Sequence, residues 1–119
     1  MKKIPYGRQS ITEEDIEAVI STLKSDYLTQ GPKVKAFEKA YAEYTETKYA
    51  ISTNSCTSAL EIVLASIEIE KGDEVIVPSQ TFIATGSSII KTGGDVIFCD
   101  TNDDFLIDFD DLKRKITIS

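Results

Sequence analysis

Glu74-Val75-Ile76-Val77-Pro78 and Asp95-Val96-Ile97-Phe98-Cys99-Asp100 are short apolar runs separated by a segment of helical spacing. Both are rich in β-branched residues, and turn formers bound them: Lys71-Gly72-Asp73 precedes the first, Pro78 ends it, and Gly93-Gly94 precedes the second. Phe82 to Thr92 predicts a helix despite its β-branched residues, because Gly93-Gly94 supplies a stop. Strand, helix and strand in that order predict a βαβ unit with parallel strands.

Upstream, Tyr49-Ala50-Ile51-Ser52 predicts a further strand, and Leu60, Val63, Leu64 and Ile67 place a helix over Thr57 to Ile67. Downstream, an acidic loop leads to a last helix over Asp110 to Ile116. Toward the amino terminus the period is helical. Ile16, Val19, Ile20 and Leu23 recur at three- and four-residue spacing behind Glu13, Glu14 and Asp15, which suit the positive end of a helix dipole. Ser25 to Pro32 reads as a loop, and Val34, Phe37, Ala40, Tyr41 and Tyr44 form one face of a second helix ending near Glu46. The expected organisation is a helical segment over 1–47 and the βαβαβα start of a sheet over 48–119. The fold class is α/β, a three-layer αβα arrangement with a mainly parallel sheet. Open sheets of this kind usually have more strands, so the pattern reads as the beginning of a larger fold.

The 119 residues carry a formal net charge of −7 and no histidine. Without an imidazole there is no Ser/His or Cys/His dyad and no histidine metal site. The acidic balance, with Arg8 and Arg114 far apart in sequence, argues against a nucleic-acid partner. The longest uncharged run, Val75 to Ile90, is too short and polar to span a bilayer, and Met1-Lys2-Lys3-Ile4-Pro5 lacks the apolar core of a secretory signal. The expected location is cytoplasmic, with no membrane partner. Cys56 and Cys99 make no disulfide framework and read as reduced thiols.

Thr53-Asn54-Ser55-Cys56-Thr57-Ser58-Ala59-Leu60 joins a strand to a helix through small polar residues. Backbone N–H groups at such a helix start can hold an anion, with hydroxyls from Ser55 and Thr57 as further donors; plain capping by Asn54, Ser55 or Thr57 is the competing reading. Cys56 has no base to activate it and reads as a space-filling residue. Phe82 follows the carboxyl end of a strand, where open α/β sheets gather ligands, and either stacks on a flat heterocycle or packs into the core. Asp100, Asn102 and Asp104 have the spacing of the first ligands of a calcium loop, but Phe105 stands where that loop needs Gly and Asp111 where it needs Glu. A solvated acidic turn capping the last helix is the better account.

Ile4-Pro5-Tyr6-Gly7-Arg8-Gln9, Ser25-Asp26-Tyr27-Leu28-Thr29-Gln30-Gly31-Pro32, Asn54 to Leu60, Gly72 to Ile76 and Pro78-Ser79-Gln80-Thr81-Phe82 together resemble the amino-terminal part of the DegT/DnrJ/EryC1/StrS family of pyridoxal-phosphate-dependent sugar aminotransferases. The opening and the Leu-Thr-Gln-Gly loop most resemble the branch that aminates a UDP-linked 4-keto-6-deoxy-hexosamine in pseudaminic acid synthesis. The resemblance implies the fold-type-I domain of an aspartate-aminotransferase-like enzyme, with pyridoxal 5′-phosphate held between the subunits of a homodimer. It implies cofactor binding by Ser55, Cys56, Thr57 and Phe82, the amides of Cys56 and Thr57 taking the phosphate and Phe82 the pyridine ring. Tyr6, Asp26, Tyr27, Leu28 and Thr29 match positions lining the sugar-nucleotide site. The implied reaction moves an amino group from an amino acid, glutamate, to a nucleotide-linked keto sugar.

The chain departs from the family at Cys56, usually Ala or Gly, and at Glu46-Thr47, where a Gly often precedes the strand. No lysine here stands in the context of the family's Schiff-base lysine, so no catalytic residue is assigned and the chain alone is expected to be inactive. The alternative is a small non-catalytic module that binds a phosphate-bearing ligand or dimerises.

Overall fold

The computed structural model describes residues 4–116. The chain divides between Ser52 and Thr53 into two compact units.

The described residues of the first unit hold two helices. α1 (Glu13–Leu23) starts at a capping box: the Thr12 hydroxyl accepts from the Asp15 N–H at 3.3 Å, and the Thr12 N–H donates to the Asp15 carboxylate at 2.8 Å. The Thr12 hydroxyl also donates to that carboxylate, at 3.0 Å, and these two bonds to it, the backbone one foremost, hold the Asp15 carboxyl below its ordinary range. α2 (Pro32–Tyr44) begins with Pro32 in its first turn, as the sequence predicts. Neither helix contains a buried residue. Their apolar stripes are formed as the periodicity requires, yet Val19, Leu23, Phe37 and Tyr41 all stay more than half exposed.

Tyr49–Ser52 corrects the expectation of a strand, because no ladder partner exists for it among the described residues. A strand is defined by paired backbone groups. Here the Ser52 N–H and hydroxyl both donate to Glu38 Oε1 at 2.8 Å, holding that carboxyl below its usual range, the N–H contributing most.

The second unit runs α3 (Cys56–Ser66), β1 (Glu74–Pro78), α4 (Ile83–Thr92), β2 (Asp95–Cys99) and α5 (Phe109–Lys115). β1 and β2 pair in parallel, with Glu74 opposite Asp95 and Pro78 opposite Cys99. The fold class is thus α/β with a parallel sheet, two-stranded among the described residues where three strands were expected. α4 packs against α3 and the sheet, burying Ala84, Ser88 and Ile89, which share one helix face. The Ser88 hydroxyl is satisfied by donating to the Ala84 carbonyl at 2.7 Å. Val77 and Cys99 complete the core from the strands. Gly93 ends α4 in the left-handed region, φ 98°.

α5 is tied to the end of β2 by Asp111. Its buried carboxylate accepts from the Asp100 N–H at 2.8 Å and from Arg114 at 3.1 Å, with Lys115 Nζ at 3.3 Å. The Asp100 N–H leads in holding the Asp111 carboxyl down, to about 2. Beside it the buried Cys99 thiol, raised above its ordinary value by burial, donates to the Asp108 carbonyl at 3.5 Å.

Candidate functional site

The start of α3 reconciles the two readings of Ser55 to Thr57. Ser55 is the N-cap: its hydroxyl accepts from the Ser58 N–H at 3.1 Å and donates to the Ser58 hydroxyl at 3.0 Å. The Ala59 N–H donates to the Ser55 carbonyl at 3.1 Å, and the Thr53 hydroxyl braces that carbonyl from outside at 2.9 Å. The amides of Cys56 and Thr57 have no acceptor among the described residues. They are the helix-start donors that capping leaves over. The Ser55 hydroxyl itself is engaged within the turn. Cys56 is exposed and Thr57 half-buried.

Electrostatics favour an anion there. α1 opens with Glu13, Glu14 and Asp15, and α5 with Asp110 and Asp111, whereas the first turns of α2, α3 and α4 contain no carboxylate. The positive ends of the α3 and α4 dipoles, like that of α2, are left uncompensated.

Phe82 stands at the start of α4, only Ser79 to Thr81 separating it from β1. The Ser79 N–H donates to the Cys99 carbonyl at 2.7 Å, so the connection leaves the carboxyl end of the sheet. Gly94, just beyond α4, lies against Ile69, just beyond α3: a Cβ at Gly94 would come within 2.7 Å of Ile69 Cγ2. Lys91 in the last turn of α4 reaches Glu61 of α3 at 2.6 Å. With their carboxyl ends together, the helices run in the same direction, and both begin on the rim where the strands end. Phe82 is 75% exposed on that rim, not packed into the core.

Ser55, Cys56, Thr57 and Phe82 therefore share one unit and one rim. Tyr6 and Asp26 to Thr29 belong to the other unit. Tyr6 is fully exposed. The Ser25 hydroxyl donates to the carbonyls of Thr22, at 2.8 Å, and Tyr27, at 3.1 Å, fixing a loop from which Tyr27 and Leu28 project into solvent. Gly31 is required there, since a Cβ would sit 2.6 Å from Tyr27 Cβ.

One contact on the rim had escaped the sequence reading: the hydroxyls of Thr81 and Thr85 share a hydrogen bond at 3.0 Å across Phe82. The i,i+4 spacing of two threonines at a helix start was its signal. Among the described residues no group of three or more His, Cys, Asp or Glu could hold a metal ion. Phe105 does adopt the left-handed conformation of a calcium-loop glycine, φ 61°, but Asn102 Oδ1 is spent accepting from the N–H groups of Asp104 and Leu106. Asp108 caps α5, accepting from Asp110 and Asp111. No helix of the described residues is long and apolar enough to cross a membrane.

The second unit is thus a parallel α/β unit with two helix starts and an exposed aromatic on the carboxyl rim, the rim where open α/β sheets gather ligands. Residues 9–119 match the DegT/DnrJ/EryC1/StrS aminotransferase family, and the chain belongs to it. It is 39% identical over 116 residues to the spore coat polysaccharide biosynthesis protein SpsC of Bacillus subtilis, covering 98% of this chain and 30% of that protein. Among solved structures, the PLP form of Spr1654 from Streptococcus pneumoniae is similar with a TM-score of 0.92 and 41% identity, over 96% of this chain and 29% of that one. Helicobacter pylori PseC, an aminotransferase involved in the biosynthesis of pseudoaminic acid, is similar with a TM-score of 0.91 and 31% identity, over 98% and 32%. The chain thus spans about 30% of the length of the curated relatives it matches.

Proposed function

We propose that these residues form the amino-terminal part of a pyridoxal-phosphate-dependent aminotransferase acting on a nucleotide-linked keto sugar. The observation that carries this reading is the pair of unpartnered amides at Cys56 and Thr57 on the same rim as the exposed ring of Phe82. A dianionic phosphate matches the amides, and a flat pyridine ring matches the benzyl face. The bound cofactor supplies an electron sink. Cys56 and Thr57 hold its phosphate, Ser55 keeps their turn in shape, and Phe82 lies against its ring.

Tyr6, Asp26, Tyr27, Leu28 and Thr29 bind the sugar nucleotide, and the working enzyme is a cytoplasmic homodimer using glutamate as donor. The sequence resemblance points to a UDP-linked 4-keto-6-deoxy-hexosamine as the acceptor, and similarity to PseC, an aminotransferase of pseudoaminic acid biosynthesis, accords with that branch. The rim segments Thr53 to Ala59 and Ser79 to Ser88 contain no lysine. These segments supply contacts to the cofactor's phosphate and ring, and amino transfer needs a lysine from outside them.

Titration of the chain with pyridoxamine 5′-phosphate, followed by NMR, tests this. The amides of Cys56 and Thr57 and the ring of Phe82 should shift together and saturably. Shifts confined to other residues, or a strong lysine-linked absorbance with pyridoxal phosphate, would overturn it.

A further inference from the structure

We infer that Thr81 and Thr85 are positioning residues that hold Phe82 in place on the rim; this rests on the reading of Phe82 as the ring-stacking residue. Phe82 occupies the N-cap of α4, a place that favours Ser, Thr, Asp or Asn, and its own side chain makes no capping bond. Its ring is 75% exposed and has no aromatic partner among the described residues. Neither capping nor packing therefore fixes this turn.

Two bonds bracket it instead. The Thr85 N–H donates to the Phe82 carbonyl at 3.0 Å, and the hydroxyls of Thr81 and Thr85 share a bond at 3.0 Å that spans the residue from both sides. Upstream, the Ser79 N–H is anchored on the Cys99 carbonyl; downstream, Ala84 is buried. The hydroxyl pair adds a second tie across the stretch between these anchors, beside the Thr85 N–H bond to the Phe82 carbonyl.

Thr81 is a residue type that ordinarily caps a helix by accepting from a backbone N–H. Here its hydroxyl goes to another hydroxyl, and the amides of Ile83 and Ala84 are left without an acceptor among the described residues. A side chain suited to capping is thus used to clasp the aromatic's own turn. The clasp restricts the backbone of Phe82, so its Cα–Cβ bond leaves the rim in a fixed direction and fewer arrangements are lost when the ring meets a flat ligand.

The test uses the full 119-residue chain. Backbone scalar and residual dipolar couplings report the φ and ψ spread of Phe82, and pyridoxamine 5′-phosphate titrations are run on the same samples. Thr85→Val and Thr81→Val keep the shape and remove the hydroxyl; Thr85→Ser keeps the hydroxyl. Both valine variants should broaden the Phe82 backbone spread and weaken binding about threefold to tenfold, and Thr85→Ser should restore both. An unchanged backbone spread in both valine variants, with helix α4 intact by carbon shifts, overturns the clasp. Phe82→Ala separates the two ideas: if it leaves binding unchanged, the ring-stacking reading fails even where the valine variants loosen Phe82.

Discussion

Cys56 offers the sharpest test at the scale of one residue, because it sits at the first position of α3, where proline is tolerated and its missing N–H costs the helix nothing. Ser55, with ψ 157°, already has the extended backbone that a following proline requires. Cys56→Pro should therefore keep α3 and remove one of the two open amides. A hydrogen bond to a charged group contributes roughly 1.5–3 kcal/mol, so pyridoxamine 5′-phosphate affinity should fall at least about tenfold. Circular dichroism should stay unchanged. Asp111 gives a second residue-scale prediction with a definite sign. Its carboxyl lies at about 2 in the folded chain, and the ordinary aspartate value of about 3.9 serves for the unfolded one. A depressed folded value contributes stability above the unfolded pKa, and that contribution is lost as pH falls from about 4 toward 2. Urea midpoints measured across that window should drop for the wild-type chain, and Asp111→Asn should be less stable at pH 7 with a flatter acid limb. Of these features, the Ser55 to Thr57 turn was legible from residue types at a strand-to-helix junction. The role of Asp111 was not, because its partner is the Asp100 N–H, and a bond to backbone leaves no trace in side-chain identity.

Elements follow local rules where the chain has them. Thr12 caps α1, Pro32 opens α2, Gly93 closes α4, and β1 has the span that its β-branched run and terminal proline predict. The misread element was Tyr49–Ser52, where apolar content signals a strand but only a paired neighbour makes one, and the partner is a tertiary fact. The two glycines after α4 differ in what they do, and this separates conformation from space. Gly93 has φ 98° and no close heavy atom at its Cβ position other than Lys71 N at 3.7 Å. Gly93→Ala should cost about 1 kcal/mol through backbone strain alone. Gly94 is buried, and its added Cβ would meet Ile69 Cγ2 at 2.7 Å, Ile89 Cγ2 at 3.2 Å and the Asp73 carbonyl at 3.3 Å. Gly94→Ala should cost more, about 1–3 kcal/mol of overpacking. Thermal melts of the two variants check the order, and equal losses would mean the α3–α4 junction is looser than its distances indicate.

For the molecule as a whole, burial is concentrated in one unit. Val77, Ala84, Ile89 and Cys99 are the buried apolar residues among those described, and all lie beyond Thr53. The sequence announced apolar stripes on α1 and α2 as clearly as on α4, since periodicity records which face is apolar and not whether anything covers it. That is why helix positions were legible and the location of the core was not. Protection against hydrogen exchange requires burial and cooperative opening, both scarce where helices expose their apolar faces. Short isolated helices are marginal in water, and α1 and α2 contain 11 and 13 residues without a buried one. The slowest-exchanging amides should therefore fall in β1, β2 and the buried turn of α4 around Ser88 and Ile89, and α1 should exchange near the rate of an unstructured peptide. Mass-resolved exchange on the 119-residue chain reads this directly. Uniform protection of α1 and β1 would show that the first unit gains burial its exposed stripes do not provide. Saturating pyridoxamine 5′-phosphate should slow exchange at the amides of Cys56 and Thr57 while leaving α1 unchanged, because a ligand protects only the donors it occupies and the elements it stabilises.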